Sequence, residues 1–289
     1  IGRAAAGVIG NYLYIFSSQN LATQALAFHI PTKTWINSTP SSVSGFNHAY
    51  TVAKNELYKI TGTTFEKFTP AGDGTGSWTT LPTAPSTVNN AQNSMTYDGD
   101  NFIYAQSSGI SSPYPRYMVR FNLTTNSWES VAAPMFPRRY AGMTAVNGKI
   151  YVIGGLLSDP TPANVAQMYD PATDTWSQIA SVPENMDFTK WTVTNDGNYV
   201  YLVGSGGGYS TYPVSNKVYY YNPADNTWTL DSELPQDRGL GLGLLLNGFA
   251  QLFFGGGNTG GSGTNFQTDC WLGTGGPYIP VELASFTAE

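Results

Sequence analysis

Residues 169–176 read YDPATDTW, and residues 221–228 read YNPADNTW. A near-identical phrase of eight letters at that distance constrains the fold more than any other feature, because repeats of 20–50 residues mark solenoids, propellers or arrays. The phrase returns as FNLTTNSW, ending at Trp128, as IPTKTW, ending at Trp35, and more loosely as TPAGDGTGSW, ending at Trp78. The tryptophans stand at 35, 78, 128, 176 and 228, so the successive differences are 43, 50, 48 and 52. A further step of about 50 residues, the period of such repeats, lands on Tyr278, which follows a turn-forming run. Five clear units and one worn unit are expected.

The fourth unit shows the grammar. YAGMTAV is followed by Asn147-Gly148, then KIYVIGG, a loop, VAQMYDPATDTW and SQIASVP. Asn-Gly between two apolar runs is a two-residue hairpin signal, since both central residues need positive φ. Gly154-Gly155 ends the second run and permits backbone angles that a Cβ forbids. DPATD forms another turn, with Pro fixing φ and Asp bonding its own backbone. Each unit is thus four antiparallel strands, A to D in chain order, and no long 3.6-residue apolar period predicts a helix. A single sheet of this size cannot bury both faces, and radial repetition solves that problem. Strand A carries small residues, as in AAAG at 4–7 and GLGLG at 239–243, which suits crowding at an axis.

The diglycines Gly154-Gly155 and Gly255-Gly256, the third-strand tyrosines Tyr169 and Tyr221, and the Trp that follows each resemble the Kelch repeat. Units one to three replace the diglycine with IFSS, KITG and YAQSSG. The resemblance implies an all-β fold: a six-bladed Kelch-type β-propeller with four antiparallel strands per blade. The expected blades are 1–44, 45–86, 87–136, 137–184, 185–236 and 237–289, together one domain over 1–289. It also implies a binding platform, although a few Kelch propellers are enzymes.

Composition narrows the partners. Only 11% of residues are charged, against roughly 25% in an average soluble protein. The net charge of −6 and the lack of a basic run argue against nucleic acid as a partner. No stretch of about twenty apolar residues predicts a membrane span. Cys270 is the only cysteine, so no disulfide framework is expected. The chain begins at Ile1, already inside a strand, so a preceding segment is expected. The ending IPVELASFTAE is similar to segments of secreted Bacteroidota and Chlorobi-type proteins, so 280–289 reads both as a last strand and as the start of a linker to a further domain. An extracellular or cell-surface location follows from that similarity.

Catalytic motifs are sparse. Copper chemistry of the galactose-oxidase kind needs two histidine ligands and a Cys–Tyr crosslink, and His29 and His48 lie in dissimilar contexts. GGGNTG at 255–260 matches a dinucleotide pattern, but no helix follows to receive a pyrophosphate. YDGDN at 97–101 reads as an Asp-Gly turn rather than a calcium loop. No cofactor or metal is expected.

Strand direction places the site. B–C loops and D–A links share one face, and the A–B and C–D turns share the other. Long, dissimilar loops gather on the first face at 107–116, 154–165, 204–217 and 255–266, and binding residues concentrate on such loops. The expected ligand-binding set there is Arg3, His48, Tyr114, Arg138, Arg139, Lys190, Trp191, Tyr209, Tyr212 and Arg238. Exposed aromatics beside Asn, Ser and Arg suit sugars or peptides. The expected role is a non-catalytic binding module of a secreted bacterial surface protein that takes a glycan or protein ligand, more a binder than an enzyme. Two alternatives stand beside it: a carbohydrate-active enzyme similar to the Kelch-type sialic-acid mutarotase, with Asp187 or Asp237 as its carboxylate, and a structural spacer in a filament or surface protein.

Overall fold

A computed structural model describes residues 4–18, 21–43, 48–88, 94–107, 116–157, 164–184, 192–205, 214–238, 242–246, 251–255 and 270–274. The first sheet comprises β1 (Ala5–Ile9), β2 (Tyr12–Ser18), β3 (Leu21–His29) and β4 (Thr34–Asn37). The second comprises β5 (Ala49–Ala53), β6 (Glu56–Thr61), β7 (Thr64–Pro70) and β8 (Gly76–Thr80). The third has β9 (Met95–Tyr97), β10 (Phe102–Gln106), β11 (Met118–Asn122) and β12 (Ser127–Ser130). A short β13 (Arg138–Arg139) then leads to β14 (Gly142–Val146) and β15 (Lys149–Ile153). After β16 (Leu156–Leu157), which pairs with β13, the fourth sheet is completed by β17 (Ala166–Asp170) and β18 (Thr175–Ile179). The fifth has β19 (Thr192–Asn195), β20 (Val200–Ser205), β21 (Ser215–Asn222) and β22 (Thr227–Arg238). The last has β23 (Leu242–Leu246), β24 (Gln251–Gly255) and β25 (Cys270–Thr274). A 3-10 turn at Ser86–Val88 is the one helical element among the described residues.

Every main sheet is an antiparallel meander in chain order. The innermost strands touch in sequence, β1 on β5, β5 on β9, β9 on β14, β14 on β19 and β19 on β23, and β23 returns to β1. That closed ring of radially packed sheets is a propeller. The six four-stranded blades expected from sequence are corrected: among the described residues five blades have four strands, and the last sheet has three. The unit that falls short is the one whose sequence lacks the Tyr–turn–Trp phrase, and its Tyr278 lies outside the described residues.

Small residues at the axis have a steric cause. A Cβ added to Gly7 would stand 2.3 Å from Val52 Cγ2 of the next blade, and one on Gly142 would stand 2.1 Å from Val193 Cγ2. The Asn-Gly hairpin forms as its sequence demands, with φ of 51° at Asn147 and 71° at Gly148. Between blades the core is apolar. Val146, Tyr151 and Ile153 of the fourth sheet pack on Val200, Leu202 and Tyr221 of the fifth, and the second and third sheets meet through Ile60, Phe65, Ile103 and Phe121.

The repeated phrase is an interblade clamp. Asp174 and Asn226 adopt positive φ, 53° and 57°, which short polar side chains tolerate. This turns each side chain toward the link from the preceding blade. Asp174 Oδ1 accepts from Tyr169 Oη at 2.6 Å and from the Ala132 amide at 2.9 Å. Trp176 Nε1 donates to the Ala132 carbonyl at 2.9 Å. One blade further, Asn226 Oδ1 accepts from Tyr221 Oη and the Ala180 amide, both at 2.8 Å, and Trp228 Nε1 donates to the Ala180 carbonyl at 2.8 Å. Trp78 and Trp128 make the same backward bond, to the Thr39 and Pro82 carbonyls at 3.0 and 3.1 Å. These rings are half-buried. Each rests on the aromatic of its own third strand, as Trp176 does on Tyr169 with centroids 5.3 Å apart.

Trp176→Phe keeps the ring but strips the Ala132 carbonyl of its donor, which should lower unfolding free energy in urea by about 1 kcal/mol. Trp176→Ala should cost about 3 kcal/mol. The hydrogen bonds to Asp174, from Tyr169 first and then the Ala132 amide, hold its carboxyl below the ordinary Asp value. A depressed folded pKa adds stability above the unfolded value, which is lost as pH falls through the folded one. Asp174→Asn, which copies Asn226, should therefore match the parent below the folded pKa, fall behind it as pH rises toward about 4 and stay behind above that, as chemical denaturation across that window would show.

Candidate functional site

Of the ten residues expected to bind ligand, Arg3, Tyr114, Lys190, Trp191, Tyr209 and Tyr212 lie outside the described residues. Arg139 is placed in β13 and Arg238 at the end of β22, by backbone alone. His48 and Arg138 are described in full. They belong to the second and fourth blades, on the side of the B–C loops and D–A links.

His48 precedes β5 and is 2% exposed. Its Nδ1 lies 2.8 Å from Thr61 Oγ1, across the top of the strand pair. Arg138 is the largest fully buried side chain described, at 0% exposure. Its Nη1 donates to the Gly154 carbonyl at 2.8 Å and the Val165 carbonyl at 3.0 Å. The diglycine makes this possible: Gly154 and Gly155 take φ of 63° and 84°, and the bend aims a carbonyl at the guanidinium. Nε and Nη2 have no partner among the described residues, and no carboxylate pairs with the group there. Burial draws its pKa down to about 9, so the charge persists at neutral pH. A buried, unpaired cation is expensive unless an anion arrives. Nε and Nη2 form one edge of the guanidinium, the edge that grips a carboxylate through two parallel N–H···O bonds.

Around it the same side carries further polar groups. Gln167 is 0% exposed, accepts the Met135 amide through Oε1 at 3.1 Å, and has no partner for Nε2 among the described residues. Ser107 and Tyr117 close the base of a long loop by exchanging bonds of 2.9 and 3.1 Å, and they leave the Tyr117 ring 52% exposed. Among the described residues no group of three metal-ligating side chains exists. No helix described is long and apolar enough to cross a membrane.

Sequence reasoning missed a buried cluster on the second blade. Lys59 and Glu66, 0% and 2% exposed, pair at 2.9 Å. Lys59 Nζ also donates to Ser41 Oγ at 2.8 Å and lies 5.0 Å from the Trp78 ring centroid. Ser41 Oγ donates to Glu66 Oε1 at 2.5 Å and accepts the Val43 amide at 3.0 Å. The signal was a lysine inside the apolar run ELYKIT, directly opposite Glu66 in register. Burial pulls the Lys59 amine down, and Glu66 opposes that pull. With its hydroxyl engaged on every side, Ser41 fastens the link between the first two blades and offers no open nucleophile.

A cavity of about 430 Å³ also opens on the axis and reaches Asp98, Gly99 and Asn195 at the A–B turns. The tight-turn face is therefore less closed than its short turns suggest.

With this geometry in place the class of the fold is plain: it is a β-propeller whose blades resemble Kelch repeats. The Kelch motif matches residues 137–183, the fourth blade. Beta-scruin of Limulus polyphemus is 30% identical over 126 residues, covering 41% of this chain and 13% of its own length. The Kelch repeat and BTB domain-containing protein 1 of cowpox virus is 27% identical over 203 residues, 66% of this chain and 34% of that protein. The chain thus spans a minor part of these relatives. The solved structure of YjhT covers 94% of both chains with a TM-score of 0.72 at 16% identity, which shows the fold alone. The expectation that the chain is more a binder than an enzyme is withdrawn, because the fold it shares with YjhT does not favour binding over catalysis.

The buried pair gives a stability outcome. Lys59→Met leaves Glu66 buried and uncompensated, and should cost about 3–5 kcal/mol. Adding Glu66→Gln should restore most of that loss in the same urea titration.

Proposed function

We propose that this propeller is a carbohydrate-active enzyme, similar to the Kelch-type sialic-acid mutarotase, acting on a sugar that carries a carboxylate. The observation that carries the reading is Arg138: a buried guanidinium pinned by two carbonyls, with its Nε/Nη2 edge left unspent among the described residues. A carboxylate on that edge would satisfy two donors and neutralise the charge in one step. Interconverting the anomers of such a sugar needs a base to take the anomeric hydroxyl proton and an acid to protonate the ring oxygen, with the reverse on reclosure. Asp237, exposed beside Arg238 at the end of β22, is the carboxylate we assign to that exchange. His48, whose Nδ1 lies 2.8 Å from Thr61 Oγ1, is a further candidate on the same side of the ring. We further read the propeller as one part of a longer extracellular or cell-surface protein, in line with the small share it covers of the relatives' lengths.

A second reading has its own support. A relative named for a Kelch repeat and a BTB domain combines such repeats with another domain, which supports reading this fold as an interaction module.

The test is exchange spectroscopy of anomers for N-acetylneuraminate, glucuronate and glucose. The acidic sugars should exchange faster with protein than without, and glucose should not. Arg138→Lys keeps the charge but cannot form the fork, and should slow that exchange roughly 10–100-fold at an unchanged melting temperature. Should no sugar exchange faster, the enzyme reading falls and the interaction module stands.

A further inference from the structure

The axial cavity of about 430 Å³ lies within the size range of small-molecule sites, roughly 300–1,000 Å³. Its wall is the inner strand of every sheet. Four of these strands place a threonine at one shared register, each opposite a tyrosine of the second strand. Thr51 faces Tyr58, Thr96 faces Tyr104, Thr144 faces Tyr151, and Thr194 faces Tyr201. All four line the cavity. Thr144 Oγ1 accepts from Asn195 Nδ2 of the next blade at 2.7 Å. The hydroxyls of Thr51, Thr96 and Thr194 make no hydrogen bond among the described residues. Each inner strand is also the edge of its sheet, so its axial side adds main-chain donors and acceptors that no other described strand uses.

The charge of this wall selects its guest. No lysine or arginine lines it. Its one carboxylate, Asp98, already accepts three amides through Oδ1, from Asp100, Asn101 and Phe102 at 2.9, 3.1 and 3.1 Å. An anion would meet Asp98 with no cation to balance it. An apolar molecule would strip water from the threonine hydroxyls without replacing their bonds. A ring of uncharged donors and acceptors at close spacing is matched by a molecule bearing many hydroxyls.

We propose that the axial cavity binds a small neutral polyhydroxylated molecule, a monosaccharide or polyol, entering from the A–B turn face. This site is separate from the Arg138 fork, on a different side of the ring, and takes a neutral guest where the fork takes an anion.

The experiment is saturation-transfer NMR on the intact chain with D-glucose and with myo-inositol, followed by titration. At least one should bind, with a dissociation constant in the millimolar range or tighter. The variant Thr51→Val/Thr96→Val/Thr194→Val keeps shape but removes three hydroxyls, and should weaken binding about tenfold or more. If that variant does not fold, Thr51→Val alone, at the half-exposed position, should weaken it about threefold. N-acetylneuraminate should not displace the bound molecule. The proposal is overturned if neither probe binds, if the valine variants bind as well as the parent, or if N-acetylneuraminate competes.

Discussion

One hydrogen bond organises this molecule: the indole N–H of a tryptophan reaching back to a carbonyl of the preceding blade. Hydrophobic packing between sheets is strong but not directional, and alone it would let neighbouring blades slide. The indole bond, with the Asp or Asn that takes the amide of the same link residue, fixes the rotation of each blade on the last. Everything nearer the axis depends on that rotation. Gly7 and Gly142 meet valines of the next blade so closely that small angular errors would produce clashes. The inner strands can line a common space only because the blades are held at a constant angle.

This explains how much was legible in the sequence. Tyr, Asp or Asn, and Trp recur because they work as a set: the Trp and the Asp or Asn bond to the preceding blade, and the Tyr holds the Asp or Asn from within its own, so the letters that repeat are the letters of the clamp. The hairpin at Asn147-Gly148 was readable for a similarly local reason, the positive φ that both residues take. The last sheet shows three strands among the described residues, and Tyr278, the aromatic on which its fourth was counted, lies outside them. Arg138 was visible as a cation at the right end of a strand, but its burial was not, since that depends on a carbonyl turned inward by Gly154, sixteen residues later. Lys59 and Glu66 were invisible for the opposite reason. Lysine and glutamate in a short strand look like a solvated face until register and a neighbouring blade bury them together.

Two buried cations therefore sit on one side of this ring with different fates. Lys59 is closed within its own network of carboxylate, hydroxyl and aromatic ring. Arg138 has carbonyls on one edge only. Desolvation penalises both charges, but only the first has its compensation inside the described fold. The contrast separates a cation whose donors are all engaged from one that keeps an edge without partners among the described residues.

The clamp also has a direction. Each indole bond spans 39, 46, 44 or 48 residues and always runs from a later unit to an earlier one. Trp35, in the first unit, keeps its indole N–H buried with no partner among the described residues. As the chain leaves a ribosome, each of units two to five can lock onto one already made, so their assembly proceeds like a ratchet that does not wait for sequence still to come. The intervals are short and similar, which keeps the entropy of closing each loop low and nearly equal from step to step. For a ring of this length, order of synthesis and order of locking are the same.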